Sequence, residues 1–355
     1  MMRQPLRDIR KIAVLRPNAL GDFMFCLPAL QALKQTYPEA ELIYLGQPWH
    51  ADFLAGRPGP VDRVVVVPPM PGINAPPESA PCDAAADIFI DAMRSENIDL
   101  ALQMYGGGRY ANPLVSKLGA RLTVGMRSAD AAPLDRSLCY GALVNRRLQL
   151  LEVAALAGAR TWPIGHRLQA TAEDRQLAAQ LVPAAPGRRL VLMQPGATDV
   201  RRRWAPARFA AVADALVEEG ALVVINGSAA EADVTAALAG AMRHPAIDLS
   251  GKASLRTLCG LMERCALVVS NDTGPLHMAL AMGRQCVGIY WFTNLVEAAP
   301  LCQDRHRAAM SARVACPVCG VENTAIRCPH EVSFVDDVAV EEVTALAIDL
   351  FRSSC

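Results

Sequence analysis

The segment Asn271-Asp272-Thr273-Gly274-Pro275-Leu276-His277 puts a carboxylate, a hydroxyl, a glycine and an imidazole where an apolar run gives way to a helical pattern. Proline suits the first turn of a helix, because its missing N–H would be unpaired there anyway. Free backbone N–H groups and the positive end of the helix dipole make such a start an anion site. His277 falls about one turn inside, on a similar side to Thr273. Capping by Asn271, Asp272 or Thr273, worth about 1 kcal/mol, would account for the polar residues alone. The histidine favours a ligand site.

A second segment, Pro195-Gly196-Ala197-Thr198 followed by Arg201-Arg202-Arg203-Trp204, has the same strand-to-helix context. Gly196 permits close backbone approach, Thr198 offers a hydroxyl, and an arginine can clamp a diphosphate through two hydrogen bonds. A charge run alone is usually a solvated loop; the glycine, hydroxyl and cation in this order favour phosphate recognition. A third segment, Arg16 to Asp22, follows the first apolar run. It lacks both G-x-G-x-x-G and G-K-[ST], which argues against a dinucleotide oxidoreductase or a P-loop enzyme. It does supply Asp22, a carboxylate able to take a proton from a hydroxyl within reach. The plainer reading of Asp22 is a helix-dipole contact of about 0.3–1 kcal/mol.

Cys316, Cys319, Cys328 and His330 have the spacing of a tetrahedral metal site. A reduced, packed loop is the preferred reading, and no catalytic part is assigned to it. The remaining cysteines in apolar runs, such as Cys26, Cys265 and Cys286, read as small hydrophobes.

The elements that must position these residues alternate along the chain. Strands are expected at 11–15, 41–45, 63–67, 99–103 and 122–125, then at 190–194, 221–226, 247–249, 266–270 and 285–290. Helical spacing begins near Phe23 and recurs at 206–218, 229–242, 254–264, 275–282 and 338–351. The proline-rich stretch 68–81 reads as a loop, and the polar stretch 165–189 as a linker holding one short helix. Strands alternating with helices imply parallel sheets built from βαβ units, in an α/β chain of two Rossmann-like domains facing across a cleft. The expected domains are 1–168, 169–335 and a C-terminal helix at 336–355 that packs back on the N-terminal domain.

At 355 residues, 52% apolar and 5% aromatic, the chain can build two aliphatic cores. Thirty-five basic and 35 acidic side chains cancel, which removes the bulk electrostatic case for a nucleic-acid partner. The charged start, without an apolar run, predicts no signal peptide, and hence a cytoplasmic protein with reduced thiols. No uninterrupted apolar stretch approaches membrane-spanning length.

Taken together in this order, three motifs resemble those of glycosyltransferase family 9, the ADP-heptose:lipopolysaccharide heptosyltransferases, over nearly the whole chain. They are Leu20-Gly21-Asp22 with Leu27-Pro28-Ala29-Leu30, Pro195-Gly196-Ala197 with Arg202-Arg203-Trp204, and Ser270 to His277. The resemblance implies a GT-B fold, an inverting mechanism, and a nucleotide sugar held mainly by the C-terminal domain. It places Asp22 as catalytic base and Asp272, Thr273, Gly274 and His277 at donor-binding positions. Arg202 stands where the family usually has a phosphate-binding lysine, and Thr198 at a phosphate-side hydroxyl beside Ala197, which has none. The acidic residue expected near the nucleoside is displaced here: Ala229 falls close to its position, with Glu231 as substitute. The implied co-substrate is ADP-heptose, with no cofactor required, and the implied acceptor is a glycan or lipid-linked core of lipopolysaccharide. That acceptor would meet the N-terminal domain, with Arg109, Arg127 and Arg136 as candidate contacts for its anionic groups. It would also bring the protein into peripheral contact with the inner membrane. Another nucleotide-sugar donor, or a non-catalytic nucleotide-sugar-binding protein, are the alternatives.

Overall fold

Strands buried on both faces need near-continuous apolar sequence, and β1 (Lys11–Leu15) supplies it: Ile12 to Leu15 are all buried. The computed structural model describes residues 6–80, 83–165, 168–324 and 326–354. Residues 1–5 of the charged start, Pro81 at the end of the expected loop, and residues 166–167 of the expected linker lie outside that set. The chain divides into two units, Met1–His166 and Arg167–Cys355.

In the first unit β1 pairs with β2 (Glu41–Gly46) and β4 (Leu100–Gln103). The sheet is completed by β3 (Arg63–Val66), β5 (Leu122–Arg127) and β6 (Arg136–Cys139). All pairings are parallel and the order is β3-β2-β1-β4-β5-β6. The helix Leu20–Thr36 packs against the helix Arg146–Leu156 and buries every residue from Phe23 to Leu33 except Gln31. A second core carries Phe89, Ile90 and Met93 of the amphipathic helix Asp83–Ser95 with Ala13, Leu15 and Ile43.

The second unit repeats the plan with β7 (Arg189–Gln194), β8 (Ala221–Ile225), β9 (Ile247–Asp248), β10 (Cys265–Asn271), β11 (Cys286–Trp291) and β12 (His306–Ser311). Its order is β12-β11-β10-β7-β8-β9, again all parallel. Each unit is thus Rossmann-like, and the pair is the GT-B architecture. In each sheet the order reverses beside the first strand, between β1 and β4 and between β7 and β10. Loops leaving the carboxyl ends diverge there and open a crevice.

Two strands exceed the sequence expectation. Both β6 and β12 are edge strands with mixed patterns, containing Arg136 and Ser137, and His306 and Arg307, so neither shows a continuous apolar run. The helix expected at 229–242 splits into a 3₁₀ turn at Ala229–Glu231 and a helix at Ala232–Ala241, because Ser228 and Glu231 form a capping box. The C-terminal helix, Val340–Ser353, packs within its own half of the chain. It belongs to the second unit, where Val343, Ala347, Leu350 and Phe351 join the core of Trp204, Phe209 and Val287. Its apolar stripe repeats at helical spacing, and Val338 O just before it accepts the Trp204 indole N–H at 3.0 Å.

Candidate active site

In the second unit the two phosphate-type segments leave adjacent strands at the reversal point, one from β7 and one from β10. Asn271 joins them. Its Nδ2 donates to Pro195 O at 2.7 Å and its Oδ1 accepts Trp204 N–H at 3.1 Å. Asn271, a candidate cap in the sequence, is therefore a buried tie between loops instead.

Asp272 is 2% exposed. Its Oδ1 lies 2.9 Å from His277 Nε2 and its Oδ2 accepts Arg202 Nη1 at 3.2 Å. Arg202 also donates to Asp272 O at 3.3 Å. Burial pushes the Asp272 carboxyl up, but the hydrogen bond and charge of His277 and the charge of Arg202 outweigh it and hold the group below the usual carboxylate range. A carboxylate depressed in this way adds stability that is full above its unfolded value of about 3.9 and is lost as pH falls through the folded value. The melting temperature of the native protein should therefore fall more steeply with acid below about pH 4 than that of Asp272→Asn. Parallel acid curves for the two proteins would remove Asp272 as a source of acid lability.

Of the three neighbouring arginines only Arg202 reaches β10. Arg201 is paired to Asp199 at 2.6 Å, and Arg203 Nε donates to Ala197 O at 2.7 Å. Thr198 is exposed at the tip of the loop. The helix Gly274–Ala281 starts behind Thr273, which is extended and makes no capping bond with its side chain, so the hydroxyl and the first helical N–H groups are not committed to each other. Glu231 reaches the same loop. Its Oε2 accepts the Ser228 N–H at 2.9 Å, while its Oε1 lies 2.0 Å from where a Cβ on Gly196 would stand. Glycine is what admits that carboxylate.

In the first unit the structure adds a residue to which the sequence reading gave no part. Arg16 is 4% exposed, and it donates through Nη2 to Asp22 Oδ1 and through Nε to Asp22 O, both at 2.8 Å. Its Nη1 donates to Met104 O, so Arg16 ties the β1 and β4 loops across the reversal point. Asp22 is about one-third exposed, and among the described residues Oδ2 has no partner. The second omission is the loop after β4, whose signal was the run Gly106-Gly107-Gly108 directly after a strand. It lines a cavity of about 450 Å3 with Asn18, Tyr105, Arg109, Tyr110 and Tyr140. Burial, and then the Asp22 charge, push the Tyr105 phenol up, so Asp22 acts electrically on this rim. Arg109 lines the cavity. Arg127 donates to Ala131 O at 3.1 Å, within its own loop, and Arg136 to Leu156 O at 2.7 Å, at the end of the helix Arg146–Leu156.

The cysteine segment also assembles. One donor atom from each of Cys316, Cys319, Cys328 and His330 lies within 4.8 Å of all the others.

The family model of glycosyltransferase family 9 (heptosyltransferase) matches residues 89–325. The lipopolysaccharide heptosyltransferase 2 of Salmonella typhimurium is 25% identical over 296 residues, covering 79% of this chain and 82% of that protein. A glycosyl transferase family 9 structure from Veillonella parvula superposes with a TM-score of 0.84 at 19% identity, over 99% of this chain and 100% of that one. The ADP-heptose LPS heptosyltransferase II of E. coli gives 0.74 at 18% identity, over 97% and 99%. With the family model spanning most of its length and both sheets in place, the chain belongs to glycosyltransferase family 9 and is a glycosyltransferase of the GT-B fold.

Proposed function

We propose that this protein transfers a heptose from ADP-heptose to a hydroxyl of a lipopolysaccharide core, with inversion at the anomeric carbon. The observation that carries the reading is the junction at β7 and β10, where Arg202, Thr273 and the start of the helix Gly274–Ala281 converge around Asp272. Cation, hydroxyl and backbone N–H groups at one helix start form a site suited to a diphosphate. The Salmonella and E. coli relatives are lipopolysaccharide heptosyltransferases, which supports heptose and lipopolysaccharide, and the E. coli one is an ADP-heptose enzyme, which supports ADP.

The reaction is a single displacement. Asp22 takes the proton of the acceptor hydroxyl, whose oxygen forms a bond to the anomeric carbon as the bond to the diphosphate oxygen breaks. The electron pair leaves on the nucleoside diphosphate, where Arg202 and the N–H groups at Thr273 and Gly274 stabilise it. Thr198 adds a hydroxyl on the phosphate side. Asp272 and His277 act from behind: their mutual contact and the Arg202 pair fix the guanidinium. Arg16 holds Asp22 by Oδ1, leaving Oδ2 for the acceptor. The Tyr105, Arg109 and Tyr140 cavity in the same unit suits a sugar with an anionic substituent. Glu231 receives the nucleoside end. A lipid-linked acceptor would place the reaction at the cytoplasmic face of the inner membrane; among the described residues no helix is long and apolar enough to cross it.

A thermal-shift panel of nucleoside diphosphates and their sugars tests the donor. ADP compounds should stabilise selectively, and a preference for UDP or GDP would sink the ADP assignment. Binding without turnover in the presence of acceptor would instead favour a non-catalytic binder. Gly196→Ala sharpens the same test. The new methyl would meet the far end of the Glu231 side chain, which can swing away, so stability should change by less than about 1 kcal/mol. ADP should then bind more weakly while pyrophosphate binds as before; equal loss for both would remove Glu231 from the nucleoside end.

A further inference from the structure

Between β12 and the C-terminal helix the chain runs through 312–339 with, among the described residues, one isolated bridge, Ala315 to Glu322. Irregular stretches of this length are uncommon inside a packed unit, and an internal staple lowers the entropy they would otherwise keep. The base of this one is anchored. Cys316 and Cys328 are buried with Phe334 and Val335 in the core of the second unit. A tight turn then returns Cys319 to them: Gly320, at φ 74°, donates its N–H to Cys316 O at 2.9 Å. The Val318 N–H points at Cys316 Sγ at 3.5 Å and holds that sulfur on the inside of the turn. Buried Asn323 accepts the Cys328 N–H at 3.2 Å and so fixes the third sulfur.

The fourth group shows a need. His330 Nδ1 is enclosed and, among the described residues, has no hydrogen-bond partner. A buried polar atom without a partner is destabilising, and a metal ion would supply one to a ring nitrogen of this side chain or fix its tautomer. A disulfide would join two of the three sulfurs and leave the third and the imidazole unexplained. Three thiolates and one imidazole form a set that selects zinc, in a tetrahedron closed by protein atoms alone.

We propose that Cys316, Cys319, Cys328 and His330 bind one structural Zn(II) ion. With no open position the ion takes no part in the transfer. Its place in the unit gives it a second consequence. The same loop donates Phe334 N–H to Arg201 O at 2.8 Å and brings Arg327 to 3.8 Å from Asp199. The zinc loop thus buttresses the turn that carries Arg202.

Metal analysis of the full-length protein, purified without a histidine tag and dialysed, tests the site. The expected result is one zinc per chain, released in full when a mercurial titrates the thiols and read with a chromophoric chelator. Cys319→Ser, at the exposed member of the set, should lose zinc and the chelator sensitivity of its melting temperature. Cys302→Ser, an exposed cysteine outside the loop, should retain both. Should Cys319→Ser fail to fold, the zinc content and mercurial release of the native protein decide alone. Native protein without metal and without mercurial-released zinc overturns the site, and stoichiometric iron overturns the assignment to zinc.

Discussion

Asp22→Asn should lower kcat by about 10²–10⁴-fold, the usual contribution of a positioned general base, while the Kd for ADP stays unchanged. Asparagine keeps the size of the side chain and an oxygen able to accept from Arg16, so the tie between the β1 and β4 loops survives. What is lost is the capacity to hold the acceptor's proton. The donor segments all lie in the other unit, which is why binding of the nucleotide should be spared. Kinetics under saturating donor, together with ADP titration calorimetry, separate the two quantities. Near-normal turnover in this variant would remove Asp22 from the mechanism, and a matching loss of ADP binding would make it a structural residue.

Arg202→Ala should do the opposite in binding and be just as severe in turnover. Charge-assisted hydrogen bonds contribute about 1.5–3 kcal/mol, so the Kd for ADP should rise roughly 10- to 150-fold. Turnover should fall a further 10²–10³-fold or so, because the guanidinium faces charge that grows as the diphosphate departs. Asp272 keeps its contact with His277 in this variant, so the unit should remain folded. Arg202→Lys should recover part of both losses, since a single ammonium restores the charge without the two-pronged geometry. If Arg201→Ala proved the more damaging change, the pairing with Asp199 would have to open on binding, and the assignment among the three arginines would be wrong.

The parts legible in the sequence are those encoded locally. β1, β7 and β10 are continuous apolar runs because both faces of a parallel sheet are covered, and the motif loops stand out by glycine and proline at their ends. The edge strands β6 and β12 were not legible, since a strand covered less fully tolerates Arg136 or His306 within it. The long-range pairings were hidden for a different reason. Arg16 meeting Met104, or Glu231 meeting Gly196, depends on which strands become neighbours, and no periodicity carries that information. The C-terminal helix shows both sides. Its stripe of Val343, Ala347, Leu350 and Phe351 announced a buried face, but not which sheet would cover it. The three arginines in a row are similar: composition marks a cation at this loop, and only the Asp199 and Ala197 contacts reveal which two are occupied.

The proposed reaction is one displacement at the anomeric carbon of a nucleotide sugar, with Asp22 on the acceptor and Arg202 on the leaving group. Nuclear magnetic resonance of the product formed from ADP-heptose and a heptose-deficient lipopolysaccharide core tests this most directly. The predicted result is a new glycosidic bond of inverted anomeric configuration, with one ADP released per bond. A retained configuration, or release of free heptose at the same rate with and without acceptor, would contradict it.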